Sequence, residues 1–428
     1  MTANLGAELH RWVRDLYPIG RSLTGDGVRE TLRRLGELLP IVVQEVPSGT
    51  RVLDWTVPPE WNLREAWIEN SRGERIVDAR HSTLHVVGYS RPVRARLTLA
   101  ELRPHLHSLP DRPDWIPYRT SYYANAWGFC LTDRQLRALP DDRYEVCVDA
   151  TLQPGSLTYG ECKLPGETED EVLLSTHVCH PALGNDNLSG IVVAAFLGRW
   201  LSERRRRLTY RLLFVPGTIG SITWLARNES RVDRIAHGLV LTCLGDPGAP
   251  TYKRSRRGDA VIDRTAAHVL AGRGAHQLLD FTPWGYDERQ YCSPGFDLPV
   301  GCLMRTPHGQ FPQYHTSADD LAFVRPDALA DSLELATAIL ELVDRNRVFM
   351  NRQPKGEPQL GRRGLYPPVG GEPPGPDQLA LLWVLNLSDG RHSLLDIAER
   401  ARLPFDAVDR AASALAAHDL LREVPSAR

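Results

Sequence analysis

The sequence predicts an α/β protein built on a largely parallel sheet with helices on both faces, joined to a strand-rich segment and a small C-terminal helical module. Three observations carry that reading. From about residue 170 to 345, short apolar runs that suit buried strands alternate with longer amphipathic patterns. Between about 40 and 150, short strand-like segments are separated by Pro, Gly and Asp turns. Beyond residue 350, a Pro- and Gly-rich stretch precedes three short helical patterns.

Residues 4–39 read as helical, with a turn at Thr24-Gly25-Asp26-Gly27 before a second amphipathic helix. Ile41–Val43, Ala66–Ile68, Leu84–Val87 and Tyr144–Val148 have strand texture. Strand 171–177 then leads to helix 188–205, and strand 209–215 to helix 220–228. Strand 237–244 leads through a basic loop to helix 261–272, and Leu298–Met304 precedes a last helix near 326–345. Sheets of this kind carry their sites at the C-terminal ends of strands, where His177, Gly217, Asp246 and His315 fall. The expected division is a discontinuous sheet domain (1–50 and 151–350), an inserted strand-rich domain (51–150), a linker (351–376) and a winged-helix-like domain (377–428).

The chain has 428 residues, long for one core, and its charge is nearly balanced, with 51 Lys and Arg against 53 Asp and Glu. No global basic excess recruits nucleic acid or an anionic membrane. No apolar run reaches the roughly 18–20 residues that span a bilayer, and no charged leader precedes an apolar one. Seven cysteines without close pairing read as reduced thiols, so the expectation is a cytoplasmic protein.

The most informative stretch is 174–190. An apolar run delivers His177 and His180 to a strand end, and a polar loop then presents Asp186 beside a helix start. Imidazole and carboxylate gathered there suit a divalent metal with an open coordination position. A further donor is expected from the loop Tyr314-His315-Thr316-Ser317-Ala318-Asp319. Cys179, between the two histidines, is expected to point away from both as a buried small residue.

Several blocks resemble one family: Arg21-Ser22-Leu23-Thr24-Gly25-Asp26-Gly27, Ile116-Pro117-Tyr118, Thr120-Ser121-Tyr122-Tyr123, Cys179-His180-Pro181, Asp287-Glu288-Arg289 and Tyr314-His315-Thr316-Ser317. Together they resemble the bacterial aminopeptidase-like proteins with an inserted domain of unknown function and a C-terminal winged helix. That resemblance implies a three-layer α/β/α zinc-aminopeptidase-like fold, with members found beside polysaccharide or natural-product biosynthesis. It implies zinc held by His180, the bridging Asp186, the later acid Asp246 and the late His315.

One departure matters. The family's block Pro-Glu-Thr-Ile-Gly-Ser reads Pro216-Gly217-Thr218-Ile219-Gly220-Ser221 in this chain. The position that supplies a general base or second-metal carboxylate is therefore empty, which favours one zinc ion over two. Tyr286 also stands where the family usually has Ser. Glu288 or Asp287 is the expected substitute base or ligand, with Arg289 and Arg305 as anchors for a substrate carboxylate and Tyr286 and His177 as substrate contacts. The basic run Lys253–Arg257 reads either as a grip on an anionic substrate or as a solvated loop, and Glu161 as a grip on an amino group.

The functional expectation is a zinc-dependent, aminopeptidase-like hydrolase cleaving an amide in a small molecule or peptide-like intermediate. The alternative is a metal-binding, non-catalytic scaffold that has lost its base. A DNA-binding regulator is the third reading, but the supposed recognition helix 404–418 carries Asp406 and Asp409 and only one Arg. That composition predicts protein contact or homo-oligomerisation instead.

Overall fold

The computed structural model describes residues 2–365 and 375–424. Residues 366–374 of the expected linker and the last four residues lie outside the described residues. The chain divides into two compact units, Met1–Thr337 and Ala338–Arg428.

The first unit is built on an eight-stranded mixed sheet. Its order is Val42–Pro47, Ser156–Leu164, Thr209–Val215, Glu171–His177, Ile235–Leu241, Val300–Met304, Thr251–Lys253, Gln277–Leu279. The four central strands run parallel, as the βα alternation requires. Antiparallel pairings flank them on both sides, and the outermost pair, Thr251–Lys253 with Gln277–Leu279, is again parallel. Glu171–His177 is buried at every position, because it has parallel neighbours on both sides and helices on both faces. The expected strands 171–177 and 209–215 match their observed bounds.

Helix Thr2–Leu16 packs on helix Gly190–Ser202, with Glu8 paired to Arg199 at 3.2 Å. A separate antiparallel sheet, ordered Arg75–Asp78, Glu60–Glu69, Arg143–Gln153, Val93–Thr98, forms from the strand-rich segment. Leu84–Val87 is not a strand. Ser82 caps a single 3₁₀ turn, Thr83–His85, and His85 Nδ1 contacts the Cys130 carbonyl at 2.8 Å, so local side-chain bonds displace an extended ladder.

The second unit holds three helices, Pro376–Leu387, Leu394–Ala401 and Phe405–Ala417, beside a three-stranded sheet. Its central strand, Val348–Asn351, precedes the Pro/Gly-rich stretch and pairs with Asp389–Ser393 and Leu421–Val424. Asp409 pairs with Arg345 (2.7 Å) and Arg347 (3.2 Å), and Asp406 with Arg345 (2.8 Å).

Candidate metal centre

The parallel strands end on one side of the sheet and release four loops there: 178–180, 216–218, 242–243 and 305–308. Between strand Glu171–His177 and helix Gly190–Ser202, residues Gly184–Ser189 form a wide irregular turn. Asn187 fixes that turn to the strand by donating to Thr176 Oγ1 (2.8 Å) and the His177 carbonyl (3.1 Å). Asp319 holds its other side, accepting the backbone N–H groups of Asn185 (2.5 Å) and Asp186 (2.9 Å).

This scaffold aims Asp186 into a nest of imidazoles. Its Oδ1 lies 2.9 Å from His177 Nε2, and its Oδ2 lies 3.0 Å from His315 Nε2. The donor atoms of His177, His180 and Asp186 all fall within 4.8 Å of one another, and all three residues are buried. His180 and His315 have ring centroids 5.2 Å apart. Burial pushes the His180 imidazole well below its usual range, against the pull of Asp186, and therefore favours the neutral, metal-competent form. Burial works against ionisation of Asp186, but the imidazoles of His180, His177 and His315 around it hold its carboxyl well below the ordinary value.

His177 stands nearer the centre than its expected role as a substrate contact. It is the last residue of a fully buried strand, so its side chain projects straight off the sheet end. Asp246, expected as a ligand, does not join the cluster. Its oxygens accept from Asn185 Nδ2 (3.0 Å), Gly248 N (2.7 Å), Thr306 N (3.1 Å) and Thr306 Oγ1 (2.6 Å), so it knots two loops together. Arg305 is likewise engaged, with the Gly248 carbonyl (2.8 Å) and Asp331 (2.7 Å), and is not free to anchor a carboxylate.

Glu288 is fully buried against Lys253, which also donates to the Trp284 carbonyl at 2.7 Å. Its carboxylate is engaged by that ion pair and also accepts the Tyr286 N–H (3.1 Å), so it is not a free base. Asp287 is better placed. Its Oδ1 accepts from Thr218 N (3.0 Å) and Ser221 Oγ (2.8 Å), serving a helix, Ile219–Asn228, that has no capping side chain of its own. Its buried Oδ2 has no partner among the described residues, and burial raises the carboxyl to about 6. Arg289 is half-buried, with Nε unpartnered among the described residues.

Tyr286 stacks on His177, with centroids 3.7 Å apart, and its hydroxyl is 3.5 Å from Cys179 Sγ. A Cβ added at Gly217 would collide with that phenol. The glycine and the tyrosine are thus complementary: the ring occupies the space a side chain at 217 would need. Cys179 is buried as expected but does not point away from both histidines: its Sγ lies 3.7 Å from His180 Nδ1 and accepts the Gly217 N–H at 3.2 Å. The basic run is neutralised locally, Lys253 by Glu288 and Arg256 and Arg257 by Asp297. Glu161 is engaged with Arg211 in the sheet, away from any amine-binding role.

Two features escaped the sequence reading. Tyr118 is brought over the cluster by backbone pairing of its N–H with the His315 carbonyl (2.8 Å), and its ring edges onto His180 (5.2 Å) and His315 (5.1 Å). A cavity of about 390 Å³ shares Tyr118 and Pro181 with this region and is also lined by Arg21, Trp61, Arg80 and Thr83. The second feature is His308, whose ring nitrogen lies within 4.8 Å of Asp186 and Cys243 donor atoms. Its position in Pro307-His308-Gly309, one turn of loop beyond a strand, was the available signal.

The domain of unknown function DUF4910 matches residues 10–346, and a winged helix-turn-helix family matches 347–423. A Clostridium acetobutylicum protein, named provisionally for polysaccharide biosynthesis and an aminopeptidase-like domain, is 48% identical over 99% of this chain and 98% of its own length. A crystal structure from the same organism, described provisionally as a peptidase, superposes with a TM-score of 0.93 at 47% identity, covering 99% of this chain and 97% of that one. At the level of fold alone, a zinc aminopeptidase from Bacillus subtilis aligns with a TM-score of 0.59 at 13% identity, over 79% of this chain and 94% of its own. The chain belongs to the DUF4910 family, carries a zinc-aminopeptidase-like fold in its first unit and ends in a winged helix.

Proposed function

We propose that this protein is a zinc-dependent hydrolase that cleaves an amide bond in a small molecule or peptide-like intermediate of polysaccharide or natural-product biosynthesis. The observation that carries the reading is Asp186, buried with each carboxylate oxygen within hydrogen-bonding distance of an imidazole nitrogen. The donors fit zinc: three imidazoles and one carboxylate held well below the ordinary carboxyl value, with Asp186 Oδ2 and His315 Nε2 buried and lacking well-aligned hydrogen bonds among the described residues. His177, His180, Asp186 and His315 would hold the ion. Zinc there would supply Lewis-acid polarisation of the amide carbonyl and of water.

The chain's own groups account for the rest. Asp287 offers a carboxylate oxygen without a partner among the described residues to accept the proton of the attacking water, and burial raises its carboxyl to about 6. Tyr118 covers the histidines and limits water at the reacting centre. The neighbouring cavity has the size of a small-molecule site. The seven cysteines are all free thiols, which supports a reducing, cytoplasmic setting. We assign the antiparallel sheet between residues 51 and 150 to an inserted domain whose loop 116–118 delivers this cover.

A second reading, a non-catalytic metal-binding scaffold, has support in the Tyr286 ring over Gly217. Turnover separates the two. Zinc-loaded protein offered a panel of aminoacyl amides and N-acylated amino sugars should hydrolyse at least one, with loss on Asp287→Asn. Zinc binding with no turnover on any of them would favour the scaffold.

A further inference from the structure

We propose that Trp55, Tyr122 and Tyr123 form an aromatic platform beside the candidate metal centre, and that it stacks against a pyranose ring of the site's substrate, an N-acylated amino sugar. The proposal rests on the hydrolase reading, because it names the substrate class of that same site.

Large aromatic side chains are mostly covered in a folded chain. Here three lie open in a connected run: Trp55 is 41% exposed, Tyr122 46% and Tyr123 52%. The rings of Trp55 and Tyr123 are 5.9 Å apart and tilted by 56°, and those of Tyr122 and Tyr123 are 6.4 Å apart and closer to parallel, at 24°. Two separate segments supply them. Trp55 stands on the hairpin Arg51–Thr56, whose first strand packs on helix Ile219–Asn228, the helix that follows loop 216–218. The two tyrosines follow Tyr118, whose ring lies against His180 and His315. An open apolar cluster beside a cleft marks a binding surface.

The backbone supplies an independent argument. Tyr122 has φ of 45°, a left-handed conformation that a bulky L residue rarely adopts. Its N–H donates to Thr120 Oγ1 (3.2 Å), and Ser121 donates to the Gly88 carbonyl through its N–H (2.8 Å) and to the Tyr89 carbonyl through its hydroxyl (2.9 Å). Strain held in place by its surroundings concentrates where a ligand is met. Much of the Tyr122 side chain is open, yet its hydroxyl is pushed up to about 12 by burial and then by Cys179, Tyr123 and Asp186. Tyr122 therefore joins the open platform to the histidine cluster.

The shape and polarity of the platform select the occupant. A flat nucleobase is gripped best in a parallel slot, and rings tilted by 56° do not make one. A pyranose has a C–H face that fits a single ring, and a rim of hydroxyls that the phenols can meet. In an N-acylated amino sugar the amide nitrogen is bonded to a ring carbon, so holding the ring also holds the amide.

The test is calorimetric titration of the full chain, with and without zinc, using N-acetylglucosamine and N,N′-diacetylchitobiose as probes. Wild type should bind both in either state, because the platform contains no metal ligand. Trp55→Ala combined with Tyr123→Ala should weaken chitobiose binding by about tenfold or more. Trp55→Phe, which keeps a ring face, should stay close to wild type, and Asp186→Asn should still bind the sugar. Circular dichroism checks that the variants, altered at open positions, are folded. Wild-type hydrolysis of leucine amide with no binding of either sugar would overturn this inference and leave the proposed hydrolase standing. Equal sugar affinity in wild type and the double variant would overturn it as well, as would uridine binding at the platform in place of the sugars. Sugar binding that is lost in the double variant, with no turnover of any amide, would uphold the saccharide platform and overturn the hydrolase.

Discussion

Asp287 and the pair Gly217–Tyr286 decide what chemistry the site can do. Burial raises the Asp287 carboxyl to about 6, above its ordinary value near 4. A group raised in this way stabilises the fold while protonated, and that stabilisation is lost as pH rises through about 6. Ionised Asp287 is the form that accepts a proton, so the hydrolysis rate should rise through the window in which the metal-free protein loses stability. Asp287→Asn should remove the limb near pH 6 and lower kcat by roughly 10²–10⁴-fold. An unchanged pH–rate profile in that variant would exclude Asp287 as the base. At Gly217, substitution by Glu alone should destabilise by about 1–3 kcal/mol, because Tyr286 fills the space. Gly217→Glu combined with Tyr286→Ser should recover most of that loss. Chemical denaturation of the single and double variants provides the check, and additive losses would show that the two positions are not coupled.

Elements that depend on periodicity were legible in the sequence, and elements set by single side chains were not. Strands 171–177 and 209–215 could be read from runs of apolar residues bounded by polar turns, and their ends located the loops that carry His177, His180 and Gly217. The helix expected from 188 begins at Gly190, because Gly184–Ser189 is held in a wide turn by Asn187 and Asp319, bonds that no periodicity encodes. Asp246 misled for a related reason: a strand-end acid can ligate a metal or tie loops, and only the four donors around it show which. His308 stayed hidden because its partners lie about 65 and 122 residues away along the chain. Arg21 illustrates the same limit from the N-terminal region. It is buried and donates to the carbonyls of Leu16 (2.8 Å), His180 (2.8 Å) and Pro181 (3.3 Å), clamping the histidine loop. Arg21→Met should cost about 2–3 kcal/mol through orphaned carbonyls and weaken zinc affinity. Urea unfolding and zinc titration measure the two effects, and a variant with wild-type values in both would remove Arg21 from the account.

At the scale of the whole molecule, balanced charge, the two-part family match and the fold describe a chain with one zinc-aminopeptidase-like unit and one winged-helix unit. The winged-helix family often suggests DNA, but Asp406 and Asp409 on the third helix are held by Arg345 and Arg347 within the same unit, and the helix offers few cations to phosphates. Duplex DNA titrated at low and moderate salt should show no steep, salt-dependent binding, whereas a strong salt slope would assign this unit to nucleic acid. The proposal at the centre concerns the first unit, where Asp186 would organise a zinc site among the surrounding histidines. Its most direct test is the zinc content of wild type and Asp186→Asn after stripping, reloading and desalting. Wild type should retain stoichiometric zinc, and Asp186→Asn, similar in shape but without the charge, should be folded by circular dichroism and hold little. Stoichiometric zinc in Asp186→Asn, or none in the wild type, would contradict the account.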